Sequence, residues 1–197
     1  MDQRTGSEYL RAVATVIVRP RSGPSYPVVV EAGATQRVVE HLPPSSGSVL
    51  VVSDSRAGEV WRIDPLTGAY IVYSGLTAVT DARADGEGNI WFTNWSDETL
   101  ARIEPGGAVT SWPVNALVLW GTVFDDSGGV WMADSAGVYG RVFRFDPAAR
   151  QLCGYLLPAG GAAEYLAFGS GVVWAGDYAN GRIVRLDEVE HEILVQF

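Results

Sequence analysis

Lysine is absent from this 197-residue chain, and all 14 of its basic residues are arginine. That excludes a P-loop lysine, Schiff-base chemistry and a lysine general base, because a guanidinium does not give up its proton in a protein. Cysteine is almost absent too. With Cys153 alone, neither an intrachain disulfide nor a Cys-rich zinc site can form. Two histidines, His41 and His191, are too few for a three-histidine metal centre. Long apolar runs are missing as well. The stretch Ala12–Val18, bracketed by Arg11 and Arg19, falls far short of the roughly 20 residues of a spanning helix. Arg-Pro-Arg follows it where a signal peptide would need a small-residue cleavage site. No membrane partner is therefore expected; the expected location is the cytoplasm, with a secreted mature form as the alternative. A net charge of −9 and scattered arginines provide no basic stripe for a nucleic acid.

What the chain does have is carboxylate, glycine and aromatic side chains in a repeating order. The segments Val51-Val52-Ser53-Asp54, Trp91-Phe92-Thr93-Asn94, Trp131-Met132-Ala133-Asp134 and Trp174-Ala175-Gly176-Asp177 recur at spacings of 40, 40 and 43 residues. Each is followed by a second run: Arg62-Ile63-Asp64-Pro65, Arg102-Ile103-Glu104-Pro105, Arg144-Phe145-Asp146-Pro147 and Arg185-Leu186-Asp187-Glu188. Within a unit, short apolar-alternating runs are separated by Gly, Asp, Asn and Pro. Val79–Ala84, Ile90–Thr93, Leu100–Ile103 and Val109–Val114 read as four strands joined by tight turns. No window shows a sustained 3.6-residue period, so almost no helix is expected. A four-stranded meander of about 40 residues, repeated, is the pattern of a β-propeller blade.

The expected architecture is all-β: a single propeller domain over residues 1–197, with a half-blade at 8–33 and full blades at 34–75, 76–115, 116–158 and 159–197. Thr15–Arg19 and Tyr26–Val30 align with the third and fourth strands of a blade, and Glu192–Phe197 with a last fourth strand. Four and a half blades leave three options: an incomplete fifth blade, an open arc completed by another chain, or a piece of a longer protein. An open arc exposes apolar faces and strand edges, so self-association is expected.

The unit Asp85-Gly86-Glu87-Gly88-Asn89-Ile90-Trp91-Phe92-Thr93-Asn94, with Leu100-Ala101-Arg102-Ile103-Glu104-Pro105-Gly106-Gly107, resembles the blade repeat of the virginiamycin B lyase (streptogramin lyase) family. More loosely it is similar to gluconolactonase and NHL propellers. The resemblance implies a propeller that, in the lyases, is a seven-bladed ring binding Mg²⁺ and using a histidine with glutamates to open a cyclic depsipeptide. In the gluconolactonases it implies a divalent metal held by Glu, Asn and Asp. This chain is too short for seven such blades, and it has no match to the paired histidine and glutamate segment of the lyases.

Two rings of candidate residues follow from aligning the units on the Trp column. His41, Asp81, Gly121 and Glu164 fall at the start of each innermost strand; Asp54, Asn94, Asp134 and Asp177 fall where the second strands end, on the same face. Trp95, Trp120 and Tyr178 would add aromatic walls. Such oxygen ligands suit Mg²⁺ or Ca²⁺, and converging carboxylates would supply a general base. Turn chemistry is the competing role for the outer ring, since Asp and Asn at strand ends bind nearby backbone N–H groups. For the inner ring the choice lies between ligand contact and a solvated side chain. Cys153 reads as a small strand residue and the Arg-x-Asp/Glu-Pro column as structural. Two functions are expected from this. One is a binding or assembly module holding a small molecule, peptide or sugar on the aromatic face. The other is a metal-dependent lyase or lactone hydrolase, with His41, Asp81 and Glu164 as catalytic groups and Asp54, Asp81, Asn94, Asp134, Glu164 and Asp177 as metal ligands.

Overall fold

The computed structural model describes residues 14–18, 26–30, 50–64, 67, 69–116, 118–135, 140–158, 160–188 and 191–196. His41 lies outside them. Two compact units divide the chain: Met1–Val52 with Trp61–Ile71, and Ser53–Val60 with Val72–Phe197. In the first, β1 (Ala14–Val18) and β2 (Tyr26–Val30) form an antiparallel hairpin in register from Ala14↔Val30 to Val18↔Tyr26. Trp61 stacks on Tyr70 at 5.1 Å between ring centroids. The strands β3 (Leu50–Asp54), β4 (Glu59–Ile63) and β5 (Tyr70–Tyr73) follow one another in a three-stranded sheet.

The second unit carries the best-defined repeats. Strands β6 (Val79–Ala84), β7 (Ile90–Asn94), β8 (Thr99–Ile103) and β9 (Val109–Pro113) form a four-stranded antiparallel meander. The next meander is β10 (Leu119–Phe124), β11 (Val130–Asp134), β12 (Arg141–Asp146) and β13 (Gln151–Leu156). A third sheet has three strands: β14 (Ala163–Gly169), β15 (Val172–Asp177) and β16 (Arg182–Arg185). A 3-10 turn at Leu186–Glu188 is the helical element among the described residues of this unit, and no helix there is long and apolar enough to cross a membrane.

Cross-strand pairing explains why the two sequence columns travel together. Trp91 lies opposite Arg102, Trp131 opposite Arg144 and Trp174 opposite Arg185. Each guanidinium sits over its indole, at 5.4, 6.0 and 5.8 Å from the ring centroid respectively. Such pairs stabilise a sheet by cation–π attraction and by covering the apolar ring with the arginine stem. The acidic residue two places on closes the unit, Glu104 on Arg102 at 2.7 Å and Asp187 on Arg185 at 2.6 Å. Two cores result, one around Trp91, Leu119, Phe143 and Phe145 and one around Trp131, Ala163, Val173 and Leu186.

Two sequence expectations are corrected here. The last strand, β17 (His191–Gln196), was expected to close the final sheet but pairs antiparallel with β13 instead, from Tyr155↔His191 to Gln151↔Gln196. The physical reason is edge length. β13 offers six residues, whereas β16 offers four and is then ended by the 3-10 turn. The alignment of the last repeat is also one residue out. In the first two meanders a five-residue turn joins innermost and second strands, between the pairs Ala84↔Ile90 and Phe124↔Val130. The β14–β15 hairpin turns on Ser170 and Gly171 alone, both at positive φ (55° and 76°), between Gly169 and Val172. That is the two-residue turn matching strand twist. Counting back from the Trp column therefore overshoots by one. In true register Tyr165, not Glu164, stands with Asp81 and Gly121, and Glu164 stands with Thr80 and Trp120 at the first position of a β-bulge shared by all three sheets.

Candidate functional site

The starts of the innermost strands and the ends of the second strands share one face of the second unit. The first sheet touches the innermost strand of the next there through polar stitches. The Thr80 hydroxyl donates to the Leu119 carbonyl at 2.9 Å, and the Thr93 hydroxyl to the Trp120 carbonyl at 3.1 Å. Asp81 accepts from the Thr122 N–H at 2.7 Å and the Thr122 hydroxyl at 2.9 Å, and pairs with Arg83 at 3.3 Å. Gly121 abuts the following strand so closely that an added Cβ would stand 2.8 Å from the Glu164 carbonyl oxygen. Asp81, Trp120 and Glu164 are thus brought together on three touching strands. Of these, Asp81 spends one carboxylate oxygen on the next sheet.

The outer ring is engaged in hydrogen bonds to nearby turns and to the segments entering the innermost strands. Asp54 accepts from the N–H groups of Arg56 and Ala57. Asn94 is buried; its carbonyl oxygen accepts from Ser96 and Asp97, and its amide donates to Thr77 and Asp97. Asp134 accepts from the Val118 N–H at 3.1 Å. Asp177 is fully buried and accepts from the Ala162 N–H, the Asn180 N–H and side-chain amide, and Arg182 Nε at 2.8 Å. Burial alone would raise its carboxyl, but the bonds from Asn180, Ala162 and Arg182 hold it below the usual aspartate value. Among the described residues no group of three or more His, Cys, Asp or Glu is placed to hold a metal ion. The aromatic candidates stand differently. Trp95, Trp120 and Tyr178 are all exposed on this face, and the Tyr178 hydroxyl donates to the Ser135 carbonyl at 2.8 Å, steadying its ring over the neighbouring repeat.

Sequence reasoning passed over the opposite ends of the strands, where two clefts open between the sheets, of about 450 and 390 Å³. Asp85 and Asp125 line them. Each binds the indole N–H of the tryptophan six residues later, Trp91 and Trp131, at 2.8 Å, and accepts backbone N–H bonds within its own turn. The Asp-to-Trp spacing of six was the available signal. One difference separates the two: Asn89 fills the place beside Asp85, while Gly129 leaves room for Arg144 to reach Asp125 at 2.8 Å. Burial would raise the Asp125 carboxyl, but Arg144, Ser127, Trp131 and the Gly129 N–H hold it at about 2. A depressed folded value means that this stabilisation is complete above the unfolded value near 4 and is lost as the pH falls through about 2. Thermal melts between pH 6 and 2 are expected to show wild type losing about 2 kcal/mol more than Asp125→Asn over that window; equal losses would remove the carboxylate from the account. Burial pushes the Cys153 thiol up, in keeping with an inert strand residue.

No protein-family model matches the chain, and no curated protein matches it in sequence. Solved structures match it in three dimensions. A streptogramin B lyase superposes with a TM-score of 0.65 at 19% identity, covering 76% of this chain and 52% of the lyase. A catalytically inactive virginiamycin B lyase from Staphylococcus aureus, with quinupristin, gives 0.65 and 19%, covering 78% and 54%. The fold is that of a β-propeller. A gluconolactonase-family propeller matches with a TM-score of 0.50 at 13% identity, covering 77% of this chain and 62% of its own. The chain spans about half the length of the lyases it matches. At such identity the likeness concerns the fold, in which β6–β9, β10–β13 and β14–β16 are successive blades.

Proposed function

We propose that this propeller is a binding module whose channel-mouth face holds a sugar or a peptide against Trp95, Trp120 and Tyr178. The observation carrying this is the exposure of three large aromatic side chains, Trp95, Trp120 and Tyr178, on one face of a unit in which Trp91 and Trp131 are buried. An exposed ring on a rigid strand end loses little conformational entropy when a flat apolar surface stacks on it. Asp81 and Glu164 lie close enough in the strand order to give that surface a polar partner. The alternative, a Mg²⁺- or Ca²⁺-dependent lyase or lactone hydrolase, draws on the outer ring for ligands. The hydrogen bonds already made by Asn94 and Asp177 favour binding over metal catalysis. Calorimetric titration with a panel of neutral oligosaccharides and short peptides is expected to give saturable binding that Trp120→Ala weakens at least about 10-fold. Parallel titration with Mg²⁺ and Ca²⁺ discriminates the alternative. Metal binding that Glu164→Ala abolishes, with no sugar or peptide bound, would reverse the preference.

A further inference from the structure

The turn between β15 and β16 carries Asn180-Gly181, the sole Asn-Gly pair in the chain; the other asparagines precede Ile90, Trp95 and Ala116. Spontaneous deamidation starts when the backbone nitrogen of the next residue attacks the side-chain carbonyl carbon of asparagine. Glycine in that place leaves the nitrogen unscreened by a side chain and the backbone able to turn toward the attack. The setting is open. Asn180 and Gly181 are exposed, whereas Asn89 and Asn94 are buried. Gly181 stands at a φ of 61°, and an added Cβ there would meet nothing within 4 Å. An exposed turn tip opens locally at little cost in free energy, which releases the carboxamide to react. The partner of Asn180 gives the position its weight. In the β7–β8 turn the Asn94 amide donates to the Asp97 carboxylate three residues on, at 3.0 Å. The β15–β16 turn exchanges the two types, and the Asn180 amide donates back to Asp177 at 3.0 Å. Glu98 and Gly181, the residues after Asp97 and Asn180, are both at positive φ (54° and 61°), so the two turns share one backbone shape. Each is tied by one amide and one carboxylate.

We propose that Asn180 is a deamidation site, and that its conversion replaces the amide–carboxylate tie of the β15–β16 turn with two opposed carboxylates, loosening the last sheet. The Gly181 nitrogen gives up its proton and bonds to the Asn180 Cγ; the Cγ–Nδ2 bond breaks and ammonia leaves with that proton. Water then opens the resulting succinimide at either carbonyl, which yields aspartate or isoaspartate. No oxidant or reductant is needed. The new carboxylate faces Asp177 across the distance that the hydrogen bond spanned, and Asp177 is 1% exposed. Two like charges so placed repel with little screening by water, and the donor that offset the burial of Asp177 is gone. Arg182 is already committed, its Nε to Asp177 at 2.8 Å and a second nitrogen to the Pro158 carbonyl. Isoaspartate also adds a methylene to the backbone of a turn whose register is fixed on both sides, from Asp177↔Arg182 onward.

Folded wild type held at pH 8 and 37 °C for several weeks, then digested and mapped by mass spectrometry, tests the reaction. A gain of about 1 Da is expected in the peptide holding Asn180, with isoaspartate at that position, and the modified fraction is expected to melt about 5 °C lower. Asn180→Gln, whose longer side chain closes the ring far more slowly, should gain no mass there. Asn180→Asp reads the consequence directly, beside Asn180→Ala, which removes the donor without adding a charge. Asn180→Asp is expected to melt below Asn180→Ala, and both below wild type. A folded chain that gains no mass at Asn180 in the time that converts a urea-unfolded sample would overturn the site. Asn180→Asp melting level with or above Asn180→Ala would overturn the opposition of carboxylates.

Discussion

Asp177→Ala is expected to lower the stability of the chain by about 3 kcal/mol, among the largest single-residue losses outside the apolar core. The carboxylate is 1% exposed and serves three segments at once. It receives the Ala162 N–H from the segment leading into β14, two groups of Asn180 from the β15–β16 turn, and Arg182 from the start of β16. Truncation leaves these donors without their acceptor in a site where water cannot replace it. Gly161 shows how tightly the carboxylate is housed, because an added Cβ there would collide with it. Asp177→Asn keeps the shape and one acceptor oxygen but loses the charge-assisted bond to Arg182, so about half of the loss is expected. Urea unfolding of the three proteins measures the series. A loss for Asp177→Ala below about 0.5 kcal/mol would mean that the carboxylate is not a structural tie and would return it to the list of ligands.

Phe145→Ala is expected to cost about 3–5 kcal/mol. Phe145 is 1% exposed and stands between two tryptophans of the preceding blade, its ring 6.1 Å from Trp91 and 4.9 Å from Trp112. These contacts cross from one blade to the next, so the cavity left by truncation would lie in the seam and not within a sheet. The adjoining tryptophans then gain access to water. A red shift of tryptophan emission should accompany the lost stability in the folded variant, together with easier quenching by acrylamide. Phe145→Leu, which keeps most of the volume, should recover the emission and at least half of the stability. A stable variant with unshifted emission would show that the seam is held elsewhere, for instance by the threonine and aspartate stitches between innermost strands.

The turn aspartates show why so much of the fold was legible. Asp54, Asp85, Asp125 and Asp146 each accept backbone N–H groups two to four residues ahead, and such bonds depend on nothing beyond the local segment. The Trp and Arg columns are equally local, since a tight turn fixes which residues of neighbouring strands face one another. A repeat of four strands, its turns and its structural Asp-Pro column could therefore be read directly.

The candidate site was legible only as a set of positions. Turn bonds to Ser96 and Asp97 hold the Asn94 carbonyl oxygen, whereas the fate of Asp81 rests on Thr122, 41 residues away, and no local pattern announces that bond. Glu164 was misplaced by one residue because the Ser170-Gly171 turn is shorter than its counterparts, a small local change that shifts every residue before it to the other face. The sequence by itself determined the repeat, the all-β class and the turn chemistry, because each is set by interactions within a few residues. Only the tertiary structure decided that β17 joins β13, that Asp177 is sealed, and that Trp174 faces water while Trp91 and Trp131 do not. Those outcomes depend on which surface arrives from the next blade, and identical local patterns cannot encode that.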